Sequence, residues 1–299
     1  MKSQRKPYLS TTQIILLSFL GVILIGSVLL SLPVSSAGGR AVPYIDALFT
    51  ATTATCVTGL VTVSTAATWS VFGQAVILLL IQIGGLGVIT FMTAVMLLFN
   101  RKIGISDRLL IQDAFNLSTL SGIVAFVKKV LIGTLTVESI GACFYMTVFV
   151  PQFGARGIWV SVFNSVSAFC NAGMDIIGEN SLCDYSGNVL ITLTTAALII
   201  LGGLGYIVWW DVSRVIKNRQ QNGGRFFKSL TLHSKIVLIS TAFLLIVGTA
   251  LTLCFEYNNP LTLEGLPLSD KIQAAFFQSV TTRTAGFASL PQENLTNPT

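Results

Sequence analysis

A chain of 299 residues that is 53% hydrophobic and only 10% charged carries more apolar side chain than a soluble core of that size needs. Its mean hydropathy of +0.77 excludes an ordinary soluble domain and points to hydrocarbon as part of its solvent. The net charge of +6 does not indicate a nucleic-acid partner, because the basic residues are dealt out between apolar runs.

Five windows reach the roughly 20 apolar residues that cross a bilayer: Gln13–Leu32, Val71–Phe99, Val130–Phe149, Gly187–Trp210 and Ile236–Phe255. Glu138 is the one charged residue inside them. The first follows basic Met1–Lys6 and precedes Ser35-Ser36-Ala37, which imitates a signal-peptidase site. Its apolar run exceeds the roughly 7–15 residues of a signal sequence, so it reads as a retained helix.

Charge then sets the topology. Lys2, Arg5 and Lys6 precede the first window; Arg101, Lys102, Arg108, Lys128 and Lys129 lie between the second and third. Arg214, Lys217, Arg219, Arg225, Lys228 and Lys235 lie between the fourth and fifth. The positive-inside bias makes these segments, and the N-terminus, cytoplasmic. Asp46, Asp175, Glu179, Asp184, Glu256, Glu264, Asp270 and Glu293 fall on the opposite side, giving an external face that attracts cations. Cys56, Cys143, Cys170, Cys183 and Cys254 are odd in number and contain no CxxC pair, so no disulfide framework is implied. A lone histidine, His233, argues against an intramembrane zinc site.

Three segments align without gaps, each ending in glycine: Ala47–Gly59, Ser161–Gly173 and Ala274–Gly286. Phe49, Phe163 and Phe276 hold the same place in each, and Leu60, Met174 and Phe287 follow the glycines. A second motif repeats in register, Ile83–Ile89 and Leu201–Ile207, each containing GGLG. The repeat unit is span, semi-apolar segment, glycine turn, span. Because each semi-apolar segment leaves and returns on the external side, it dips into the membrane without crossing; about ten helical residues cover about 15 Å. Non-helical backbone at that depth must be buried in protein or line water. A returning strand whose carbonyls face an axis meets that demand and can replace the hydration shell of a cation.

The residues proposed for that strand are Thr55, Cys56, Val57, Thr58 and Gly59 in the first repeat, Phe169, Cys170, Asn171, Ala172 and Gly173 in the second, and Thr282, Arg283, Thr284, Ala285 and Gly286 in the third. They are mostly short, and the terminal glycine can take positive φ and turn its carbonyl inward. The helix C-terminus before each strand adds partial negative charge that favours a cation.

These strings, ATCVTGL (Ala54–Leu60), AFCNAGMD (Ala168–Asp175), TTRTAGF (Thr281–Phe287) and the two GGLG segments, resemble the Trk/Ktr/HKT superfamily of potassium transporters, most closely its bacterial KtrB-type (NtpJ-like) branch. The resemblance covers essentially the whole chain. It implies an all-α membrane protein of tandem M1–pore loop–M2 repeats around a central pore, with repeat one at 1–100, repeat two at 101–220 and the visible part of repeat three at 221–299. It implies potassium uptake across the plasma membrane of a bacterium, the ion held by backbone carbonyls of the selectivity filter, with sodium as a stimulator and no covalently bound cofactor. Sodium-preferring relatives carry serine in the first filter, where this chain has Gly59. Implied partners are a second copy of the chain, membrane lipid and a cytosolic KtrA-type ring of nucleotide-binding regulatory subunits, with no nucleic acid. The chain stops at Thr299, before the third M2 and the fourth repeat of the family pattern, so a fragment unable to conduct alone is expected.

Arg283 stands where the other filters have Cys56 and Cys170, and is read as one half of a structural ion pair behind the filter. Glu138 is read as bracing helix or loop packing rather than as a coupling-ion site. The GGLG glycines are read as allowing close helix packing in preference to a hinge. Trp69, Trp159, Trp209 and Trp210 are read as interfacial anchors. The competing function is a sodium-coupled potassium symporter with alternating access, whose repeats are normally inverted; here every loop enters from the same side. An intramembrane enzyme lacks the histidines and paired acids that such chemistry needs.

Overall fold

The computed structural model describes residues 11–88, 90–93, 123–178, 180–218 and 226–299. Among these the fold is helical, with one antiparallel bridge, Ser36 to Trp69, in place of any sheet. The main helices are α1 (Thr11–Ser31), α2 (Tyr44–Cys56), α3 (Val71–Leu86), α4 (Ile123–Phe153), α5 (Ala155–Phe169), α6 (Val189–Leu204), α7 (Tyr206–Lys217), α8 (Leu232–Glu256) and α9 (Leu268–Thr281).

Thr12–Ser31, Val124–Phe153 and Leu232–Glu256 are long and apolar enough to cross a membrane. Their surfaces support that use. Leu16, Ile25 and Val28 of α1 and Phe243 and Ile246 of α8 all point outward, and only 6% of the apolar window in α8 is buried. Exposure to water would penalise such faces at roughly 25 cal/mol per Å², whereas lipid tails do not. These helices match the first, third and fifth windows read from the sequence. The second and fourth windows are not continuous. α3 stops at Leu86 and α6 at Leu204, and in each the last glycine of GGLG, Gly87 or Gly205, has φ of 81°. That left-handed conformation costs other L-residues about 1–2 kcal/mol. After Gly205 the chain turns by 97° into α7. Residues 94–122, which hold the rest of the second window, lie outside the described residues.

The chain divides into two compact units, Met1–Cys56 with Thr68–Leu135, and Val57–Ala67 with Thr136–Thr299. In the first, α2 packs against both α1 and α3. Gly26 leaves room for Leu80, whose Cδ1 would stand 2.8 Å from an added Cβ. Ser70 closes the start of α3, accepting from the Gly73 amide at 3.3 Å and donating to the Val34 carbonyl at 2.6 Å. Trp69 is not the interfacial anchor expected of it: it is 1% exposed, inside this unit, and its carbonyl accepts from Gln74 Nε2 at 3.1 Å.

In the second unit, α5 packs on α6, and α9 on α6 and α8. One joint occurs twice. Ser165 Oγ of α5 donates to the Glu138 carbonyl of α4 at 2.6 Å, and an added Cβ on Gly141, three residues on, would meet Ser165 Oγ at 2.5 Å. Ser279 Oγ of α9 donates to the Leu245 carbonyl of α8 at 3.1 Å, and an added Cβ on Gly248, again three residues on, would collide with Ser279. A small residue admits the partner helix, and a hydroxyl satisfies a carbonyl on the other. Glu138 itself is 5% exposed at this joint, the place a packing role requires.

GGLG serves two purposes. Gly202 lies against the Phe169 carbonyl at the C-terminus of α5, with no space for a Cβ, while Gly205 ends α6. The close packing expected of the motif is therefore joined by a helix break that was not expected. Trp209 also points inward, donating to the Leu201 carbonyl at 3.0 Å and meeting the Phe169 ring edge-on at 5.7 Å. Gly202→Ala is expected to cost roughly 1–3 kcal/mol through overpacking. Gly203→Ala, whose Cβ would only touch Asn171 Nδ2 at 3.4 Å, is expected to cost less. Thermal unfolding of the purified protein in detergent compares the two.

Candidate functional site

Three helices, α2, α5 and α9, of 13, 15 and 14 residues, each end where a glycine-tipped strand begins. At 1.5 Å per residue they measure roughly 20 Å, too short to cross the roughly 30 Å hydrocarbon layer.

The strands share a backbone conformation that their side chains do not announce. Two positions before the terminal glycine, Val57, Asn171 and Thr284 have φ of 55°, 60° and 68°; the glycines Gly59, Gly173 and Gly286 have φ of 83°, 64° and 81°. Two of the three non-glycine residues are β-branched, for which positive φ is a real outlier. Strain of this kind persists only where the surroundings over-determine the chain. Three unlike sequences thus take up the same alternation of left-handed residues.

The glycines converge. A Cβ on Gly59 would stand 2.9 Å from the Ala172 carbonyl oxygen and 3.5 Å from Gly286 Cα; one on Gly286 would stand 3.0 Å from Gly173 Cα. Gly173 has no room at all, facing the Ala285 carbonyl oxygen and Gly286 Cα. The carbonyl before each of two glycines therefore leans on the glycine of another strand, so peptide oxygens from separate repeats share one small region.

The second and third strands are tied back to their own helices. In the second, Ser167 Oγ donates to the Met174 carbonyl at 2.5 Å and accepts from the Met174 amide at 3.1 Å, and the Ala172 amide donates to the Ser167 carbonyl at 2.8 Å. In the third, Thr281 Oγ1 donates to the Phe287 carbonyl at 2.6 Å and the Ala285 amide to the Thr281 carbonyl at 3.0 Å. Both clamps hold the residue just past the glycine. The sequence comparison missed Ser165, Ser167, Ser279 and Thr281, because the paired hydroxyls sit one position out of register between the two segments.

Of the fifteen residues proposed from sequence, Gly59, Gly173 and Gly286 come together, with Ala172 and Ala285 supplying nearby carbonyls. Phe169, 3% exposed, is wedged against Trp209, and Thr282 Oγ1 returns to the Ser279 carbonyl at 3.1 Å. Thr55 is buried, Cys170 partly so, and Cys56, Thr58 and Thr284 are exposed. Asn171 faces α6, close to Gly203. All five cysteines are free thiols. Arg283 does not form the expected ion pair: among the described residues the salt bridge is Arg214 with Asp211, and Arg283 Nε is buried without a partner. Two of the acids assigned from sequence to the external side are engaged locally. Glu256 accepts from Thr296, Thr299, Thr262 and Asn259 at 2.5–2.8 Å, and Asp175 is bonded to Ser181 and to the Ile177 amide.

Above the glycines lies a cavity of about 150 Å³, walled by Gly59, Gly173, Gly286, Ser64, Ser181 and Asp175. It has room for several waters or for one partly hydrated cation. Burial pushes the Asp175 carboxyl above its usual range, opposed by the Ser181 hydroxyl and the Ile177 and Gly178 amides, which favour the charged form. A cation in the cavity would supply the missing counter-charge.

Lipid-facing helices and three short helices ending in convergent backbone define a helical membrane protein with a backbone-lined centre. Residues 4–299 match the TrkH family, described as cation transport protein, and the chain belongs to that family, one of transporters rather than enzymes. It is 42% identical over 291 residues to the Potassium/sodium uptake protein NtpJ of Enterococcus hirae, covering 97% of this chain and 62% of the relative. It is 41% identical over 279 residues to the Ktr system potassium uptake protein B of Bacillus subtilis, covering 93% of this chain and 60% of the relative. The chain spans about three fifths of the length of these relatives. Its fold is similar to the crystal structure of the potassium transporter TrkH from Vibrio parahaemolyticus, with a TM-score of 0.64 at 17% identity, over 96% of this chain and 53% of that one.

Gly173→Ala is expected to lower stability more than Gly59→Ala or Gly286→Ala. All three carry the left-handed penalty of about 1–2 kcal/mol, but only at Gly173 do a backbone oxygen and a backbone carbon both occupy the added methyl's place. Unfolding midpoints in detergent rank the three.

Proposed function

We propose that this chain forms pore-lining repeats of a bacterial potassium uptake system, in which the strands ending at Gly59, Gly173 and Gly286 select the ion with their peptide oxygens. The convergence of the three glycines carries the reading. The names of the relatives, potassium uptake and potassium/sodium uptake proteins, support the substrate. Repeat boundaries near residues 100 and 220 are part of the proposal, as are an N-terminus in the cytoplasm, a pairing of two copies, stimulation by sodium and regulation by a cytosolic nucleotide-binding ring. The segregation of basic residues supports the orientation.

In this scheme a hydrated cation enters the cavity over the glycines, where Asp175 offsets the cost of shedding water. Carbonyls of the strands then replace the hydration shell. The C-termini of α5 and α9 present partial negative charge toward the strands that follow them. Val57, Asn171 and Thr284 set the alternating turns that aim the peptide groups.

Potassium uptake by deficient bacterial cells expressing the protein from its gene tests this reading. Gly59→Ser is expected to abolish preference for potassium over sodium, and unaltered selectivity would overturn the filter assignment. Asp175→Asn is expected to raise the half-saturating external potassium roughly fivefold, equivalent to about 1 kcal/mol at a partly screened mouth. As external pH falls through the raised pKa of Asp175, the carboxyl gains a proton and loses its charge. Acidification is therefore expected to weaken uptake at low potassium in the wild type at a higher pH than an ordinary carboxylate, and to have no such effect on Asp175→Asn.

A further inference from the structure

The right-angled turn at Gly205 leaves α7 nearly perpendicular to α6, an apolar helix of mean composition suited to hydrocarbon. If α6 crosses the bilayer, as the transport proposal requires, α7 lies along its surface. One face of α7 is settled: Val208, Asp211 and Val215 are buried, and Asp211 accepts from the Thr231 amide at 2.7 Å and the Thr231 hydroxyl at 2.8 Å. Its other residues are unlike those of a solvated helix. Ile216 is 59% exposed beside Lys217, while Ile207, about 180° round the helix from it, lies on the other flank of the buried face.

The helical turn Phe226–Ser229 packs against α7 and extends the same character. Phe226 and Phe227 are 43% and 49% exposed. Lys228 follows, and Lys235 donates to its carbonyl at 3.1 Å. Arg214 reaches the Ser229 carbonyl at 3.5 Å, joining the two pieces. The described part of this surface therefore presents aliphatic and aromatic side chains together with three lysines, Lys217, Lys228 and Lys235, while Arg214 is paired with Asp211. Its one acid, Asp211, is buried and already bonded. Apolar residues interleaved with cations on an element parallel to a bilayer suit the boundary between headgroups and acyl chains. Aromatic and aliphatic groups sink below the phosphates, and lysines reach up to them.

We propose that α7 and the Phe226–Ser229 turn form a seat for anionic phospholipid, which holds the cytoplasmic end of α6 against the inner leaflet. The occupant is the lipid headgroup, because the surface pairs positive charge with apolar side chains at the depth where a phosphate and an acyl chain meet. The inference rests on the membrane placement proposed above.

Native mass spectrometry of the purified full chain in detergent, titrated with phosphatidylglycerol and separately with phosphatidylcholine, tests it. The wild type is expected to retain phosphatidylglycerol preferentially. Lys217→Gln with Lys228→Gln is expected to weaken that retention by about fivefold per charge removed, leaving phosphatidylcholine unaffected. Phe227→Ser is expected to weaken both lipids. Unchanged thermal unfolding of the lysine variant verifies that the fold is intact. Equal retention of the two lipids, or a phosphatidylglycerol affinity indifferent to the lysines, would overturn the seat; so would its occupation by a cytosolic protein in co-purified material. Potassium uptake by the same cells is read in parallel. Loss of transport with retained lipid preference counts against the pore alone, and the reverse counts against the seat alone.

Discussion

Peptide groups away from water must find partners, and each strand after α2, α5 and α9 leaves the helical ladder, within the membrane in the proposed placement. The structure answers this locally on one side of the strand, while on the other the Ala172 and Ala285 carbonyls rest against the glycines of neighbouring strands. Amides fold back onto the helix, as from Ala172 to Ser167 and from Ala285 to Thr281, and hydroxyls hold the carbonyls just beyond the glycines. What remains are carbonyls near the meeting point of Gly59, Gly173 and Gly286. A backbone oxygen spared from internal bonding there is costly unless something positive takes it up. The strained residues Val57 and Thr284 fit the same account, since strain is tolerated where packing leaves the chain no alternative.

Holding three strands at contact distance demands that their helices be fixed to better than the width of a methyl group. The serine and glycine joints of α4 with α5 and of α8 with α9 do this by combining close approach with a hydrogen bond. Gly202 carries the arrangement one layer further, seating the C-terminal carbonyl of α5 directly on α6. The same helix then breaks at Gly205, so the element that supports the second strand also turns to run toward Thr231 and the start of α8. Support for the centre and the turn at the end of α6 are consequences of two glycines three residues apart.

Much of this was legible in the residues, and the part that was not has a physical cause. Apolar length located α1, α4 and α8, because nothing but hydrocarbon accommodates their exposed leucines and isoleucines. The glycine-ended repeats located the converging strands, because positive φ and a missing Cβ are demands that only glycine meets cheaply. The breaks at Gly87 and Gly205 were hidden: the sequences on either side are uniformly apolar, and hydropathy carries no information about direction. Trp69 was misread because its burial depends on a bridge to Ser36, a tertiary fact that composition near a span end does not encode. Arg283 meets no acid among the described residues, because Glu256 and Asp175 find hydroxyls and amides within their own loops, and local donors require no long side chain to be ordered.

The hydroxyl clamps separate what the repeats preserve from what they vary. Ser167 and Thr281 perform the same task from positions that do not align, and Ser165 and Ser279 likewise. The residues two before each glycine, Val57, Asn171 and Thr284, share no side-chain chemistry at all, yet their φ angles agree within 13°. In the proposed filter, side chains meeting the ion at these places would present three different surfaces to it. Agreement in backbone alone is what a site made of peptide oxygens requires, since the peptide group is the one ligand that every sequence carries. The side chains are then free to differ according to the helix behind each strand, as Asn171 does in turning toward Gly203.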